Sequence, residues 1–527
     1  MTLPQFLRDR IFWAVLGLCT LMLALVAVEP FGADNAVLHS MALDFVKQGK
    51  VPYIGSWDNN FPGVVYVHAL AILVFGPSDF GYRLLDICIQ LFFAGFLYRF
   101  LLRWMKTHTA ALASVLYVAY YVAAGPDVFG KQDDFGMMAI VVGASFVIAR
   151  TNAESRGWAA IILGGVIAGV SLLMRPTFLL HIGFITLFVT LGSNRRLSAT
   201  SLLQSVVFFI ACFTSVGCVL LYYNTIPAGL AEVYNSTIRF NLDVYASLGT
   251  NSKFWWELLR TGLVIPLALY AITRTKGSLS SLVRSPDVRE KLLYASLVLS
   301  SLTVVIIMGK FYRYHLAAFF LMVMPMTAVG LEKLALHVRS DVRRHFVFLG
   351  GVFLCSFIAY NPISPLAFML GLLTKVDPSE NADIARRPDT LFGAIPEGAI
   401  LTYLNKPENR TGAVEVCSYS PFLRYRLHRL SAGPYITFHA ISFRTDATRI
   451  GPPHYTSYQR KWQRDYMNSL VSVKPHFIVL ARRMSFWYIQ DVYDDCLHYL
   501  PGFDSLLAAS YRYDTTIAGW QTYRRIN

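Results

Sequence analysis

The stretch IFWAVLGLCTLMLALVAVEPFGADN, residues 11–35, joins a long uncharged apolar segment to a short acidic loop. Segment 11–28 approaches the roughly 20 residues that a helix needs to cross a bilayer. It follows Arg8 and Arg10 and resembles a signal peptide, but residues 26–30 form a poor cleavage site. We therefore expect an uncleaved first membrane span with the N-terminus inside the cell.

The composition of the whole chain agrees with this first segment. Of the 527 residues, 55% are hydrophobic and 15% are charged, and the mean hydropathy is +0.46. A typical soluble domain carries roughly 25% charged residues. A chain made only of soluble domains, a disordered chain and a coiled coil are thereby excluded, which leaves a polytopic membrane protein. The net charge of +15 fits basic residues at the cytoplasmic ends of spans, so no nucleic-acid partner is predicted.

Eleven apolar runs are predicted to cross the membrane. They lie at about 11–28, 81–102, 109–125, 135–149, 157–174, 176–192, 201–222, 256–273, 292–309, 311–331 and 345–360. A further run, 62–75, is short and is predicted to lie on the membrane surface. With that assignment the inside loops carry about twice as many Lys and Arg residues as the outside loops, as the positive-inside rule requires. The C-terminus is then outside.

The tail has the texture of a small α/β domain, because short apolar strands alternate with polar helical stretches. Predicted strands are Ala399–Leu404, Val414–Ser418, Tyr435–Phe438 and Phe477–Ala481, and Tyr458–Val471 is a predicted helix. The predicted domains are a membrane domain, 1–374, and an extracytoplasmic domain, 375–527. Cys417 and Cys496 could pair in such a compartment, and the sequence contains no Cys/His cluster typical of zinc.

Carboxylates stand at the outer ends of predicted spans. Asp34 follows the first span, and it is either a helix N-cap or a base that takes a proton from an acceptor. Asp133 and Asp134 begin the fourth span. A carboxylate pair at a span end is costly if it faces lipid, so we expect it to face water, a metal or a cation, unless it belongs to an ordinary solvated loop.

A basic and aromatic cluster, Lys310–His315, joins the ninth and tenth predicted spans. It is either an aromatic belt with cations that reach the interface or a phosphate site with Tyr rings that stack on sugar. Arg175 lies on the same predicted side and departs from the positive-inside pattern, so a compensating partner is expected. Lys310, Arg313 and Arg175 are the candidate phosphate ligands.

Taken together, these features resemble a family. An acidic residue after the first span, a Pro-containing motif about 25 residues later, the Phe75–Arg83 stretch and an acidic motif about 100 residues after Asp34 are similar to GT-C glycosyltransferases. The group that the chain resembles contains family 39, the protein mannosyltransferases and the aminoarabinose-transferase-like enzymes. The Arg313–Leu316 stretch and a tail ending near Tyr-Arg-Arg are similar too.

The resemblance implies a GT-C-like fold and transfer of a sugar from a polyprenyl-phosphate donor to a lipid, glycan or protein, with inversion, at the outer face of a bacterial inner membrane. Asp34 matches the catalytic aspartate. Asp133 or Asp134 matches the second acidic motif, which implies a catalytic role in orienting the acceptor or the base, or in binding a divalent ion. A divalent cation, if required, would bind Asp34 and Asp133. Expected substrate contacts are Asp58, Arg83, Tyr312, Tyr314 and His315.

One departure from the family concerns the Pro motif. Aminoarabinose-transferase-like members carry a Lys before two prolines, whereas residues 60–63 read Asn-Phe-Pro-Gly. A phosphate contact must therefore come from elsewhere in the chain. The alternatives are a polysaccharide polymerase and a transporter or lipid flippase. No internal repeat is visible and the candidate polar groups lie at span ends, which favours an enzyme over a transporter.

Overall fold

The computed structural model describes residues 9–126, 128–150, 157–191, 198–246, 264–273, 288–310, 312–337, 397–445, 453–482 and 489–526. Up to residue 337 its elements are helices. They are α1 Arg10–Leu23, α2 Ala33–Gln48, α3 Pro62–Phe75, α4 Asp79–Leu101, α5 Thr107–Ala124, α6 Gln132–Arg150, α7 Gly157–Met174, α8 Leu179–Thr190, α9 Ala199–Asn224, α10 Gly229–Tyr234, α11 Val264–Thr273, α12 Val288–Met308 and α13 Ala317–His337. Two π-helical segments, Asn235–Arg239 and Asn241–Tyr245, follow α10.

The tail combines short helices with a four-stranded sheet. Its elements are α14 Gly398–Leu404, β1 Val414–Cys417, α15 Phe422–Leu427, α16 His439–Ser442, α17 Ser457–Val473, β2 Phe477–Ala481, α18 Val492–Asp495, α19 Phe503–Ser510, β3 Tyr511–Ile517 and β4 Trp520–Arg525. The strand order is β1-β2-β4-β3. The β1–β2 pair is parallel and the other two pairs are antiparallel, so the sheet is mixed.

Eight helices of the described chain are long and apolar enough to cross a membrane, and they coincide with eight of the predicted spans. The predicted span 176–192 is a shorter apolar helix, Pro176–Thr190. Only residues 264–273 of the run 256–273 are described, and 345–360 lies outside the described residues. The prediction of a polytopic helical membrane protein is confirmed, while the count of eleven spans stays a prediction.

The chain divides into two compact units. The first, called the helical unit, comprises Met1–Glu29, Ser78–Leu221 and Thr250–Pro365. The second, called the loop–tail unit, comprises Pro30–Pro77, Tyr222–Gly249 and Leu366–Asn527. Two loops that the sequence assigned to the membrane domain therefore pack with the tail. The predicted boundary between residues 374 and 375 lies outside the described residues.

Small residues allow close packing inside the helical unit. A Cβ atom placed on Gly143 of α6 would lie 2.6 Å from the carbonyl oxygen of Gly164 on α7. A Cβ atom on Gly164 would likewise lie 2.8 Å from the Gly143 carbonyl oxygen. Paired glycines of this kind let two backbones approach, which is how helices associate in lipid.

The loop–tail unit is held by contacts between its three chain segments. The Trp57 backbone N–H donates to the carbonyl of Pro434 at 2.9 Å, and the Trp57 ring packs 5.6 Å from that of Trp462. The Trp462 indole N–H in turn donates to Glu232 at 2.7 Å.

Helix α3 spans 14 residues and leaves Leu73 exposed, which agrees with a helix at a membrane surface.

Two strand predictions in the tail are wrong. Residues 399–404 form helix α14, because a helix buries Ile400 and Leu404 together at i, i+4 spacing, and a short apolar run fits either structure. Residues 435–438 form a loop in which Tyr435 makes only an isolated bridge to Trp57. The predicted strands at 414–418 and 477–481 and the predicted helix at 458–471 are confirmed as β1, β2 and α17.

The structure adds the hairpin β3–β4, which the sequence analysis missed. Its turn has positive φ at both Ala518 and Gly519, as a type I′ turn requires. An Asn-Gly or Asp-Gly pair would have signalled it, whereas Ala-Gly did not. Cys417 and Cys496 are both buried free thiols, so the structure does not pair them.

Candidate active site

Asp34 lies in the first turn of α2, in the loop–tail unit. The N-cap of this helix is Gly32, so the interpretation of Asp34 as the cap is wrong. The Asp34 side chain is half-buried. A carboxylate in the first helical turn is stabilised by the partial positive charge of the helix N-terminus.

Asp58 is a second carboxyl group close to Asp34 in the same unit. It is 8% exposed and accepts hydrogen bonds from the Asn59 backbone N–H at 2.7 Å and the Asn60 side-chain amide at 3.0 Å. Burial raises the pKa of Asp58 to about 6; the two hydrogen bonds oppose this and the charge of Asp34 adds to it. Asp34 and Asp58 are thus an interacting acidic pair.

An amide clamp holds the turn that carries Asp58. The Asn59 side chain donates to Asn241 Oδ1 at 2.8 Å, and Asn241 Nδ2 lies 2.9 Å from the carbonyl oxygens of both Asn59 and Thr237. Asn241 is the first residue of a π-helical segment. π-Helical turns are rare and are frequent at functional sites. The π-helical segment after α10 thus fixes the turn that carries Asp58.

The tail adds His439 to this acidic pair. Its Nδ1 lies 2.7 Å from the Thr437 hydroxyl, and the Tyr419 ring packs 5.0 Å from its own. Burial lowers the pKa of His439 to about 3, against the opposing effect of the Asp34 charge. A neutral imidazole therefore stands near Asp34. Sequence analysis could not identify it, because His439 is some 400 residues from Asp34 along the chain.

The helical unit gathers three cations near one imidazole. Lys131, Arg175 and Lys310 all interact electrostatically with His315, which is 4% exposed. Lys131 Nζ lies 5.1 Å from the centroid of the Tyr314 ring, and the Arg175 guanidinium carbon lies 5.6 Å from it. These contacts join the residue before α6, the residue after α7 and the segment before α13, which are far apart in the sequence. We call Lys131, Arg175 and Lys310 the cation cluster.

Asp133 provides the partner expected for Arg175. Its Oδ1 lies 3.1 Å from Arg175 Nε, and the Asp133 side chain is 3% exposed. We expected this carboxylate to face water, a metal or a cation, and in the structure it faces the cation Arg175. Among the described residues, no group of three or more His, Cys, Asp or Glu side chains could hold a metal ion. Metal binding by Asp34 or Asp133 stays a prediction.

The aromatic part of the segment is compact. The Tyr312 and Tyr314 rings are stacked with centroids 5.6 Å apart, and the Tyr314 and His315 rings meet edge to face at 4.5 Å. Burial lowers the pKa of Lys310 from its ordinary value. The side chain of Arg313 lies outside the described part of the chain, so its phosphate contact stays a prediction from sequence.

Arg83 and Asp134 are deep in the helical unit. Arg83 donates to the backbone carbonyls of Glu29 at 3.1 Å and Phe129 at 3.3 Å, and its side chain is fully buried. In this conformation it ties chain segments together, and its contact with substrate stays a prediction. Asp134 is 1% exposed and lies 2.7 Å from Gln90 Nε2, between α4 and α6.

The acidic pair predicts a pH effect on stability. Since the folded-state pKa of Asp58 is raised to about 6 from 3.8, Asp58 favours folding at low pH, and that contribution is lost as pH rises through about 6. Asp58→Asn should remove this pH dependence of stability. Above pH 6 it should raise the thermal midpoint, which corresponds to a gain in the free energy of unfolding on the order of 1–3 kcal/mol. The thermal midpoints of the purified wild type and Asp58→Asn are measured as pH rises through about 6, with Asp79→Asn as control. If the midpoint changes with pH by the same slope in the wild type and in Asp58→Asn, the effect is refuted.

Comparison with known proteins confirms the resemblance. Residues 59–219 match the family model described as dolichyl-phosphate-mannose-protein mannosyltransferase. No curated protein sequence matches the chain significantly. The enzyme class predicted from the sequence, a membrane glycosyltransferase, is confirmed by this match to the family model.

Solved structures share the fold. The crystal structure of ArnT from Cupriavidus metallidurans in the apo state has a TM-score of 0.55 at 13% identity and covers 98% of this chain and 97% of that chain. The same enzyme bound to undecaprenyl phosphate has a TM-score of 0.53 at 14% identity, and this match covers 98% of the present chain and 97% of the enzyme. The Archaeoglobus fulgidus oligosaccharyltransferase tethered with an acceptor peptide has a TM-score of 0.50 at 12% identity, and this match covers 99% of the present chain and 75% of the oligosaccharyltransferase. The fold of this chain is thus ArnT-like.

Proposed function

We propose that the protein transfers a sugar from a polyprenyl-phosphate donor to a lipid, glycan or protein acceptor at the outer face of the membrane. The observation that carries this proposal is the cation cluster of Lys131, Arg175 and Lys310 with the Tyr314 ring and His315. Cations bind phosphate oxygens through charge-assisted hydrogen bonds, and Tyr rings stack on sugars. The ArnT structure with bound undecaprenyl phosphate supports the choice of lipid.

The residues divide into two roles. Asp34 takes the proton of the acceptor nucleophile, which attacks the anomeric carbon and forms the new glycosidic bond. The bond from that carbon to the phosphate oxygen breaks, and its electron pair leaves with the polyprenyl phosphate. The cation cluster stabilises the charge that develops on this leaving group. Direct displacement inverts the anomeric configuration.

Asp133 has a supporting role in this proposal. Its ion pair with Arg175 fixes the orientation of the guanidinium at 3.1 Å. Arg can bind phosphate with two parallel hydrogen bonds only if its planar group is correctly oriented. Asp58 and the neutral His439 interact electrostatically with Asp34 and shape its environment.

Transport is the rival function, and one observation bears on it. Asp86 and Asp134 are buried within spans α4 and α6, where ionisable groups often mark a transport path. The family match over residues 59–219 favours the enzyme. A deletion strain separates the two functions, because loss of a transferase leaves the lipid-linked sugar at the outer face and loss of a flippase leaves it at the inner face.

The proposed function predicts the orientation of the termini. Alkaline phosphatase fused after Asn527 of the full chain should be active, because the enzyme folds only in the periplasm. A green fluorescent protein fused at the same residue should be dark. The reverse pattern, an inactive phosphatase with a fluorescent fusion, would overturn both the span count and the proposed face of the reaction.

The experiment that tests the function is chemical analysis of the cell envelope. Mass spectrometry of envelope lipids and glycans should show one sugar missing from one product in a deletion strain. The wild-type gene should restore that sugar. An unchanged envelope profile under conditions in which the gene is expressed would contradict the proposal.

A further inference from the structure

A buried polar network links spans α4 and α5 to the start of α6. The side chains of Asp86, Gln90, Tyr117, Tyr121 and Asp134 are each at most 1% exposed. Buried polar groups in a low-dielectric interior are costly unless they are hydrogen-bonded, and fully paired networks of this kind rigidify a structure. Each of these five side chains has a hydrogen-bonding partner within the set.

The network is continuous. Gln90 Nε2 lies 2.7 Å from Asp134 Oδ2 and 3.3 Å from Asp86 Oδ1, so this amide bridges the two carboxyl groups. The Tyr117 hydroxyl lies 2.6 Å from Gln90 Oε1 and 3.1 Å from Asp134 Oδ1. The Tyr121 hydroxyl donates to Asp86 Oδ2 at 2.6 Å.

Hydrogen bonds from this network and from Tyr82 hold the segment Gly130–Asp134 at both of its ends. At the first end, the Gly130 backbone N–H donates to the Tyr121 oxygen at 2.7 Å, and the Gly130 carbonyl accepts from the Tyr82 hydroxyl at 2.6 Å. Gly130 has φ of 65°, and a Cβ atom there would lie 2.6 Å from the Tyr82 ring. At the other end, Asp134 is held by Gln90 and Tyr117.

The residues between these two ends are the ones that reach the cation cluster. Lys131 packs on the Tyr314 ring, and Asp133 pairs with Arg175. Their side chains are nearly fully buried, so their positions follow the backbone that carries them. A displacement of this backbone would move one cation and the partner of a second.

We infer that Tyr117, Tyr121 and Gln90 are positioning residues of the lipid-phosphate site, which they fix through the Gly130–Asp134 segment. Asp134 then belongs to the positioning network, in place of the catalytic role predicted from the sequence. This inference rests on the proposed function, because it assumes that the cation cluster binds the lipid phosphate. It assigns a function to buried groups of α4 and α5, which are far along the chain from Arg175 and Lys310 of the cation cluster.

The test measures binding of undecaprenyl phosphate to the detergent-solubilised full chain by titration in native mass spectrometry. Tyr121→Phe and Tyr117→Phe each remove one oxygen atom and leave every charge in place. We expect each to weaken binding about tenfold, since a buried partner that loses its hydrogen bond drives the segment to rearrange. A thermal melt without lipid is recorded for every variant.

Tyr98→Phe is the matched control. Tyr98 is fully buried near the other end of α4, where its hydroxyl lies 3.2 Å from Asp9 Oδ2, so the same substitution removes the same kind of hydrogen bond. A purely structural role predicts that all three variants lower the thermal midpoint and none weakens lipid binding. The positioning role predicts that Tyr117→Phe and Tyr121→Phe alone weaken it.

The outcomes separate this inference from the proposed function. If Lys131→Met weakens binding but both Tyr variants bind as the wild type does, the positioning role is overturned and the phosphate site stands. If Lys131→Met also binds as the wild type does, the phosphate site fails and the inference fails with it. If Tyr121→Phe does not fold, Tyr117→Phe decides the question.

Discussion

Asp34→Asn is expected to abolish most sugar transfer while the protein remains folded. A general base typically contributes about 10²–10⁴-fold to the rate, and the amide of Asn cannot accept the proton of the acceptor. The structure makes this substitution informative, because Gly32 and not Asp34 caps helix α2. The loss of one carboxylate from the first helical turn should cost only about 0.3–1 kcal/mol of stability.

The measurement uses the envelope sugar that is missing from the deletion strain. Its amount is compared between strains that express the wild type, Asp34→Asn and the control Asp79→Asn at equal membrane levels. Asp79 is a matched control because it also lies in the first turn of a helix, α4. If Asp34→Asn restores the sugar as fully as Asp79→Asn, then Asp34 is not the base.

Loss of either lysine of the cation cluster is expected to weaken lipid-phosphate binding. Lys131 and Lys310 are 2% and 7% exposed, so a phosphate that they contact is largely removed from water. A hydrogen bond to a charged group in such a place corresponds to about 10- to 100-fold in affinity. We expect Lys131→Met and Lys310→Met, which keep the apolar stem, each to weaken binding of undecaprenyl phosphate by that factor.

Lys106→Met is the control for this prediction. Lys106 precedes α5, whereas Lys131 follows it, and its side chain is 70% exposed and paired with Glu332. It removes the same charge from the opposite end of the helix. A parallel titration with phosphatidylglycerol distinguishes a site for the lipid monophosphate from general attraction of anionic lipids. Equal affinities for the wild type, Lys131→Met and Lys310→Met would contradict the phosphate site.

Much of the helical fold could be predicted, because the signal is local. A span is read from about 20 consecutive residues, and the basic residues beside it predict its orientation. The same reasoning marked Arg175 as a cation that needs a partner. It could not name Asp133, since their ion pair joins residues that are 42 positions apart and depends on how α6 and α7 pack.

The candidate site could be predicted only in part, for a similar reason. Asp34 and Lys310 stand in recognisable motifs at span ends. Lys131, Asn241 and His439 carry no such motif, and they enter through tertiary contacts with partners far along the chain. Hydropathy and residue spacing contain no information about such contacts.

The tail shows where short patterns fail. Residues 399–404 are apolar and β-branched enough to suggest a strand. A run of six residues is too short for its pattern to distinguish a strand from a helix, and the packing of Ile400 and Leu404 favours helix α14. By contrast, β1 and β2 are fully buried apolar runs and were predicted correctly. The β3–β4 hairpin is more polar and alternately exposed, so its hydrophobic signal is weak.

The central claim is that the protein consumes a polyprenyl-phosphate-linked sugar at the outer face of the membrane. The most direct test quantifies this lipid in spheroplasts of a deletion strain, before and after a hydrolase that cannot enter the cell is added. We predict that the lipid-linked sugar accumulates and that the added hydrolase removes it, because the donor has reached the outer face and is not used. A lipid-linked sugar that accumulates but resists the hydrolase would identify a flippase instead, and a pool unchanged from the wild type would contradict the proposed donor.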